Sequence, residues 1–138
     1  MQFRSVAAVA VGGGIGASIR YELALHLAPL TPPAFPAVTC AINISGAFLL
    51  GALMMLILEH WPPTRFVRPF VGIGILGGFT TFSTFVVETD RLLGARLPGV
   101  AAAYVGISLV GGFVALGLGG LVADRLWSTG RARRGAGA

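Results

Sequence analysis

Four long stretches without a charged side chain restrict this sequence to very few folds. They cover 5–19, 34–58, 69–87 and 97–123. Crossing the hydrocarbon core of a bilayer takes about 20 mostly apolar residues. We therefore read four transmembrane helices, at about 3–27, 34–58, 66–87 and 97–123, in an all-α membrane protein. Composition agrees: of 138 residues, 55% are hydrophobic and 11% charged. That leaves too little polar surface to cover a water-soluble globule, since ordinary soluble domains carry about 25% charged residues.

The separators carry turn chemistry. Pro29, Pro32 and Pro33 divide the first helix from the second, and Pro62 and Pro63 the second from the third, with Trp61 suited to an interface. The run 89–98 is expected to be the third connection. We expect residues 1–127 to form the membrane domain and 128–138 a disordered tail. The N-terminal stretch is read as a retained helix rather than a cleaved leader, because no Ala-x-Ala site follows at the right distance.

An even number of spans puts both termini on one side. That side then holds Arg4, Arg65, Arg68, Arg125, Arg131, Arg133 and Arg134, seven arginines against Arg20, Arg91 and Arg96 opposite. Without the three tail arginines the balance is four against three. So weak a bias leaves orientation poorly specified, which predicts insertion both ways and antiparallel pairing. The chain has 21 glycines, several at small-xxx-small spacing (Gly12/Gly16, Gly74/Gly78). Such spacing serves close packing, either within a subunit or across an oligomer, most simply a dimer. Arginines at segment ends are a membrane pattern, so nucleic acid is not an expected partner.

Gly12, Gly14 and Ala17 fit a dinucleotide fingerprint, but the strand context and the acid about 20 positions later are missing. Cys40 is the single cysteine and has no metal-site companions. His26 and His60 lie at helix ends without ligand spacing. No enzyme signature and no organic cofactor motif is present.

The polar residues inside the spans carry the chemistry. Asn43 lies mid-way along the second helix, with Thr39 and Ala47 on the same stripe. Its amide serves either as interhelical glue or as an anion contact in a pore. Arg20, late in the first helix, either snorkels to the interface or raises anion concentration at a vestibule; Glu22 is a candidate partner. Gly77-Gly78 followed by Thr80, Thr81, Ser83 and Thr84 predicts a break in the third helix at membrane depth. Irregular backbone there must be buried in protein or line a cavity, and freed carbonyls can coordinate a cation. Phe82 and Phe85 share a face, and an aromatic edge is positive enough to meet an anion. Tyr104 and Ser108 share a face of the fourth helix. Glu88 either carries protons or ends the third helix.

The segments 12–21 (Gly-Gly-Gly-Ile-Gly-Ala-Ser-Ile-Arg-Tyr), 39–51 and 77–85 (Gly-Gly-Phe-Thr-Thr-Phe-Ser-Thr-Phe) closely resemble the Fluc fluoride channels, also called the CrcB family. The resemblance implies a dual-topology antiparallel homodimer in the bacterial inner membrane, with two pores that export fluoride passively. It implies that Asn43, Phe82 and Phe85 line the pore, with Thr81, Ser83, Thr84, Tyr104 and Ser108 as a polar track and Arg20 at the vestibule. It implies a structural sodium ion at the dimer interface, held by backbone oxygens of Gly77 and Thr80. Glu88 matches the family's acidic position after the phenylalanine motif. Gly112 departs from a hydroxyl found there in some members. The alternatives are a proton-coupled dual-topology exporter, which wants an acid buried in mid-membrane, and a non-conducting assembly subunit.

Overall fold

A computed structural model of the chain describes residues 2–27, 34–60 and 66–135. The expected proline-rich separators at 29–33 and 62–63, and Trp61, expected at an interface, lie outside the described residues. Helix α1 is Gln2–Leu27. Helix α2 is Ala37–Met55, entered through Pro36, and its last turns widen to π geometry over Leu56–His60. Helix α3 is a wide π-type helix, Arg68–Leu76, that tightens over Gly77–Phe79. Helix α4 is Phe82–Gly94 and α5 is Pro98–Gly135. Among the described residues the secondary structure is entirely helical.

Among the described residues three segments are long and apolar enough to cross a membrane: Ala37–His60, Arg68–Gly94 and α5 through Gly130. Helix α1, at 26 residues, is long enough (about 39 Å at 1.5 Å per residue). Its glycines and the flanking Arg4 and Arg20 make it the least apolar of the four expected spans.

The expected connection at 89–98 is mostly helix. Thr89 donates its hydroxyl to Phe85 O at 2.8 Å, so this polar stretch satisfies itself within the helix. Leu92, 2% exposed, packs into the core with Cys40, Ala101 and Tyr104. The turn is only Ala95 to Leu97. There Arg96 N–H reaches Leu93 O and Leu97 N–H reaches Leu92 O, a Schellman closure with Arg96 at φ 59° in the left-handed position usually taken by glycine.

Helix α2 packs chiefly on α5, and α1 on α3. Glycine sets both contacts. A Cβ on Gly12 would strike Phe70 O, and one on Gly16 would strike Ile75 O. Gly51 and Gly119 do the same against the backbones of Leu116 and Phe48 across α2 and α5. The small-xxx-small glycines at 12, 16, 74 and 78 are thus spent on packing inside one subunit. In lipid, where there is little hydrophobic drive between helices, such close approach supplies the van der Waals contact that holds them. The outward faces carry exposed Leu, Val, Ile and Phe along α1, α2 and α5, as lipid contact requires.

Candidate functional site

The site grows from the two residues between α3 and α4. Thr80 (φ −75°, ψ 153°) and Thr81 (φ −143°, ψ 123°) are extended. Helical continuation would bring Thr81 N–H onto Gly77 O. It donates to Asn43 Oδ1 at 2.8 Å, and Asn43 Nδ2 donates to Thr81 O at 3.0 Å. One side chain of α2 therefore pairs with both polar groups of the Thr81 backbone. The Gly77 carbonyl is left without its helical donor.

Neighbouring residues complete the transition. Thr81 Oγ1 accepts from Thr84 N–H at 3.2 Å, which makes Thr81 the N-cap of α4, and it donates to Thr84 Oγ1 at 3.0 Å. Thr80 donates back to Leu76 O at 2.9 Å. Arg20 Nε donates to Gly78 O at 3.2 Å. Arg20 therefore neither snorkels freely nor pairs with Glu22: it supplies a donor to a carbonyl whose helical partner is lost at the break. Glu22 lies 3.3 Å from His26 on its own helix.

A second polar group lies beside the first. Thr39 donates to Glu88 Oε1 at 2.9 Å and Tyr104 OH donates to Glu88 Oε2 at 2.7 Å. Helices α2, α4 and α5 meet at this carboxylate. Tyr104 is fully buried. Its ring packs against Phe85 at 5.1 Å between centroids and meets the edge of Phe35 at 5.6 Å. Phe85 in turn lies 5.9 Å from Phe82. Phe82 is 76% exposed on the subunit surface. Ser108 donates to Cys40 Sγ at 3.5 Å.

Two open grooves flank Asn43 and Phe82. One, about 340 Å³, is lined by Asn43, Ala47, Gly77, Thr80, Thr81 and Phe82 among others. The other, about 300 Å³, is lined by Asn43, Ala47, Phe82, Phe85, Ser108 and Gly112 among others. Most residues singled out from sequence thus converge. Ser83 faces outward, 3.3 Å from the Thr81 hydroxyl. Tyr104 lies beneath Phe85 with its hydroxyl held by Glu88, away from either groove. The Thr39–Glu88–Tyr104 group escaped sequence reasoning as a unit. The sequence shows the three polar residues one by one on three helices, but nothing in it shows that they meet. His60 also finds partners: Asp124 at 3.0 Å and the stacked Trp127 ring at 5.3 Å.

Comparison with known proteins gives the sequence a family. Residues 7–120 match the family described as CrcB-like protein, Camphor Resistance (CrcB). The fluoride-specific ion channel FluC 3 of Streptomyces avermitilis is 54% identical over 114 residues, 83% of this chain and 55% of that protein. Fluoride-specific ion channel FluC 2 of Nocardia farcinica is 42% identical over 129 residues, 92% of this chain and 89% of that protein. Fluoride-specific ion channel FluC of Rhodospirillum centenum is 39% identical over 120 residues, covering 87% and 91%. The chain thus spans about half the length of the Streptomyces relative and about nine-tenths of the other two.

Proposed function

This chain belongs to the CrcB-like family and is a multi-pass bacterial membrane protein, and from that premise we propose that it is one subunit of a passive fluoride channel. The observation that carries the reading is the groove in which Asn43, Phe82, Phe85 and Ser108 lie together beside the interruption between α3 and α4. The functional unit is an antiparallel homodimer with two pores, and the interruption sits at membrane depth.

The chemistry follows from what fluoride needs. It is small and tightly hydrated, so a path for it must replace water with donors. Asn43 has two amide hydrogens and spends one on Thr81 O. The Thr84 hydroxyl hydrogen and the exposed Ser83 hydroxyl are further donors, and the Ser108 hydroxyl becomes one if it gives up its long contact to Cys40 Sγ. The edges of Phe82 and Phe85 add weak positive potential without a fixed charge that would trap the ion. Thr81 supports the path as the cap of α4, and Tyr104 supports it beneath Phe85. Arg20, anchored on Gly78 O, contributes positive potential at the vestibule.

Charge placement supports antiparallel pairing. One end of the subunit holds seven arginines against two acids, and the other three arginines against three acids. Parallel neighbours would set two strongly basic ends side by side. Antiparallel neighbours set each basic end beside a neutral one.

The donor set also fits a sodium ion at the dimer interface. The Gly77 carbonyl has lost its helical donor to Asn43, Gly77 is exposed, and hard cations take oxygen ligands. The backbone oxygens of Gly77 and Thr80 from both subunits would hold it, and it would tie the two interrupted helices together.

The test is fluoride efflux from proteoliposomes. A channel gives fast, electrogenic, fluoride-selective flux that needs no proton gradient. Flux of organic cations coupled to protons would point to an exporter working through Glu88, and no flux of either kind would leave an assembly subunit.

A further inference from the structure

The net charge of this chain, formally +5, is carried by one end of the helix bundle. Helices α1 and α3 run parallel, since Gly12 meets Phe70 and Gly74 while Gly16 meets Ile75 and Phe79. Helices α2 and α5 also run parallel, since Ile44 meets Gly111 and His60 meets Asp124. Arg4, Arg68 and Arg125 therefore share an end with Glu59, His60 and Asp124. By chain order the same end takes Arg65 and the arginines at 131, 133 and 134. The opposite end holds Arg20, Arg91 and Arg96 against Glu22, Glu88 and Asp90, and cancels to zero.

At the basic end α5 continues well past its last apolar turn. It is 38 residues long, about 57 Å at 1.5 Å per residue. The hydrocarbon core is about 30 Å thick and the headgroup layer about 5–7 Å on each side. The uncharged part ends at Ala123, and residues 124–135 carry the helix about 18 Å further. That distance spans the headgroup layer and about one screening length of the water beyond it.

The base of this extension is fixed to the bundle. His60, at the end of α2, is bonded to Asp124 and stacked on Trp127 with 13° between the rings. Ser128 and Thr129 return their hydroxyls to the helix, at Asp124 O and Arg125 O, 2.8 Å each. The one acid in the extension is thereby engaged with His60. Its other charges are Arg125, Arg131, Arg133 and Arg134.

We infer that this end of the subunit, and the α5 extension above all, is a docking surface for anionic phospholipid headgroups. Arg125 stands at headgroup height on a helix braced by α2, and the helix carries positions 131, 133 and 134, all arginine, to within about one screening length beyond that layer. Guanidinium groups match phosphate geometry better than ammonium groups do, and every basic residue of this chain is arginine. Basic residues beside an anionic membrane surface each favour it enough to change lipid occupancy about fivefold.

The test is lipid retention by the full-length protein. The protein is purified in detergent doped with equal amounts of phosphatidylglycerol and phosphatidylcholine, and bound lipids are counted by native mass spectrometry. The wild type should retain phosphatidylglycerol in several-fold excess. The combined Arg131→Gln, Arg133→Gln, Arg134→Gln variant should lose most of that excess, and so should the wild type in high salt. The Arg91→Gln, Arg96→Gln variant at the neutral end should keep it. A wild-type ratio near one, a tail variant that keeps the full preference, or equal loss in both variants would overturn the inference.

Discussion

Replacing Asn43 by Ala removes both hydrogen bonds that hold the Thr81 backbone open. Two limits bound the cost. Interhelical hydrogen bonds in membranes average about 0.6 kcal/mol, so two bonds give about 1.2 kcal/mol. Leaving the Thr81 N–H and C=O buried and unpaired would cost about 1–3 kcal/mol each. The structure selects between these limits. Once Asn43 Oδ1 is gone, Thr81 N–H can turn back onto Gly77 O and close the helical turn, which recovers part of the loss. We therefore expect a stability loss of about 1–2 kcal/mol in detergent unfolding, with the subunit still folded. Function should suffer far more, because closing that turn re-aims Phe82 and Phe85 and reclaims the Gly77 carbonyl. Fluoride efflux from vesicles should fall at least tenfold. A variant that conducts at the wild-type rate, or one whose stability loss reaches the 2–6 kcal/mol of two orphaned groups, would refute this account of the clamp.

Four further outcomes follow from local geometry. Thr81→Ala removes the N-cap of α4 and should cost about 0.5–2 kcal/mol in thermal unfolding, with Thr81→Ser restoring most of it. Gly16→Ala places a Cβ 2.8 Å from Phe79 N and 2.9 Å from Ile75 C, both unyielding backbone, and should destabilise by about 1–3 kcal/mol. Gly14→Ala, with nothing within 4 Å, should be neutral or stabilising by up to about 1 kcal/mol in the same assay. Arg96→Gly relieves a left-handed residue that costs about 1–2 kcal/mol in non-glycine form, and should raise the unfolding midpoint despite the greater freedom of glycine in the unfolded chain.

Sequence patterning made the helices legible because lipid imposes a simple rule: an uncharged run of about 20 residues must be a helix. It also marked the region of Gly77 to Thr84, where weak helix formers and hydroxyls coincide. It failed where a polar run hides inside a helix. Thr89, Asp90 and Arg91 look like a loop, yet Thr89 bonds within its own helix and Leu92 is buried, and no periodicity over so short a stretch reveals that. It also could not assign partners. Arg20 had Glu22 two residues away as an obvious mate, but residues two apart on a helix do not face each other; its actual contact, Gly78 O, is 58 positions away. Glu88 reads either as a proton carrier or as a helix end, because its distance from the core depends on where α4 stops. Only the packing of α2 and α5 on α4 brings Thr39 and Tyr104 to it.

If the subunit conducts fluoride as proposed, the hydrogen bonds around the interruption narrow how the ion can pass. Asn43 commits its oxygen and one amide hydrogen to Thr81. Thr39 and Tyr104 commit their hydroxyls to Glu88, and Arg20 commits Nε to Gly78 O. The strongest polar groups near the grooves are therefore occupied in holding backbone and side chains in place. What is left for an ion is sparse: one amide hydrogen, a few hydroxyls and the edges of two rings. A full positive charge at that depth would bind fluoride and hold it, whereas conduction requires each contact to be weak enough to release the ion to the next. The rigidity of the committed groups keeps the weak ones in register. Selectivity on this view comes from the spacing of modest donors fixed by a stiff frame, so loosening the frame at Asn43 should degrade discrimination between fluoride and chloride as well as rate.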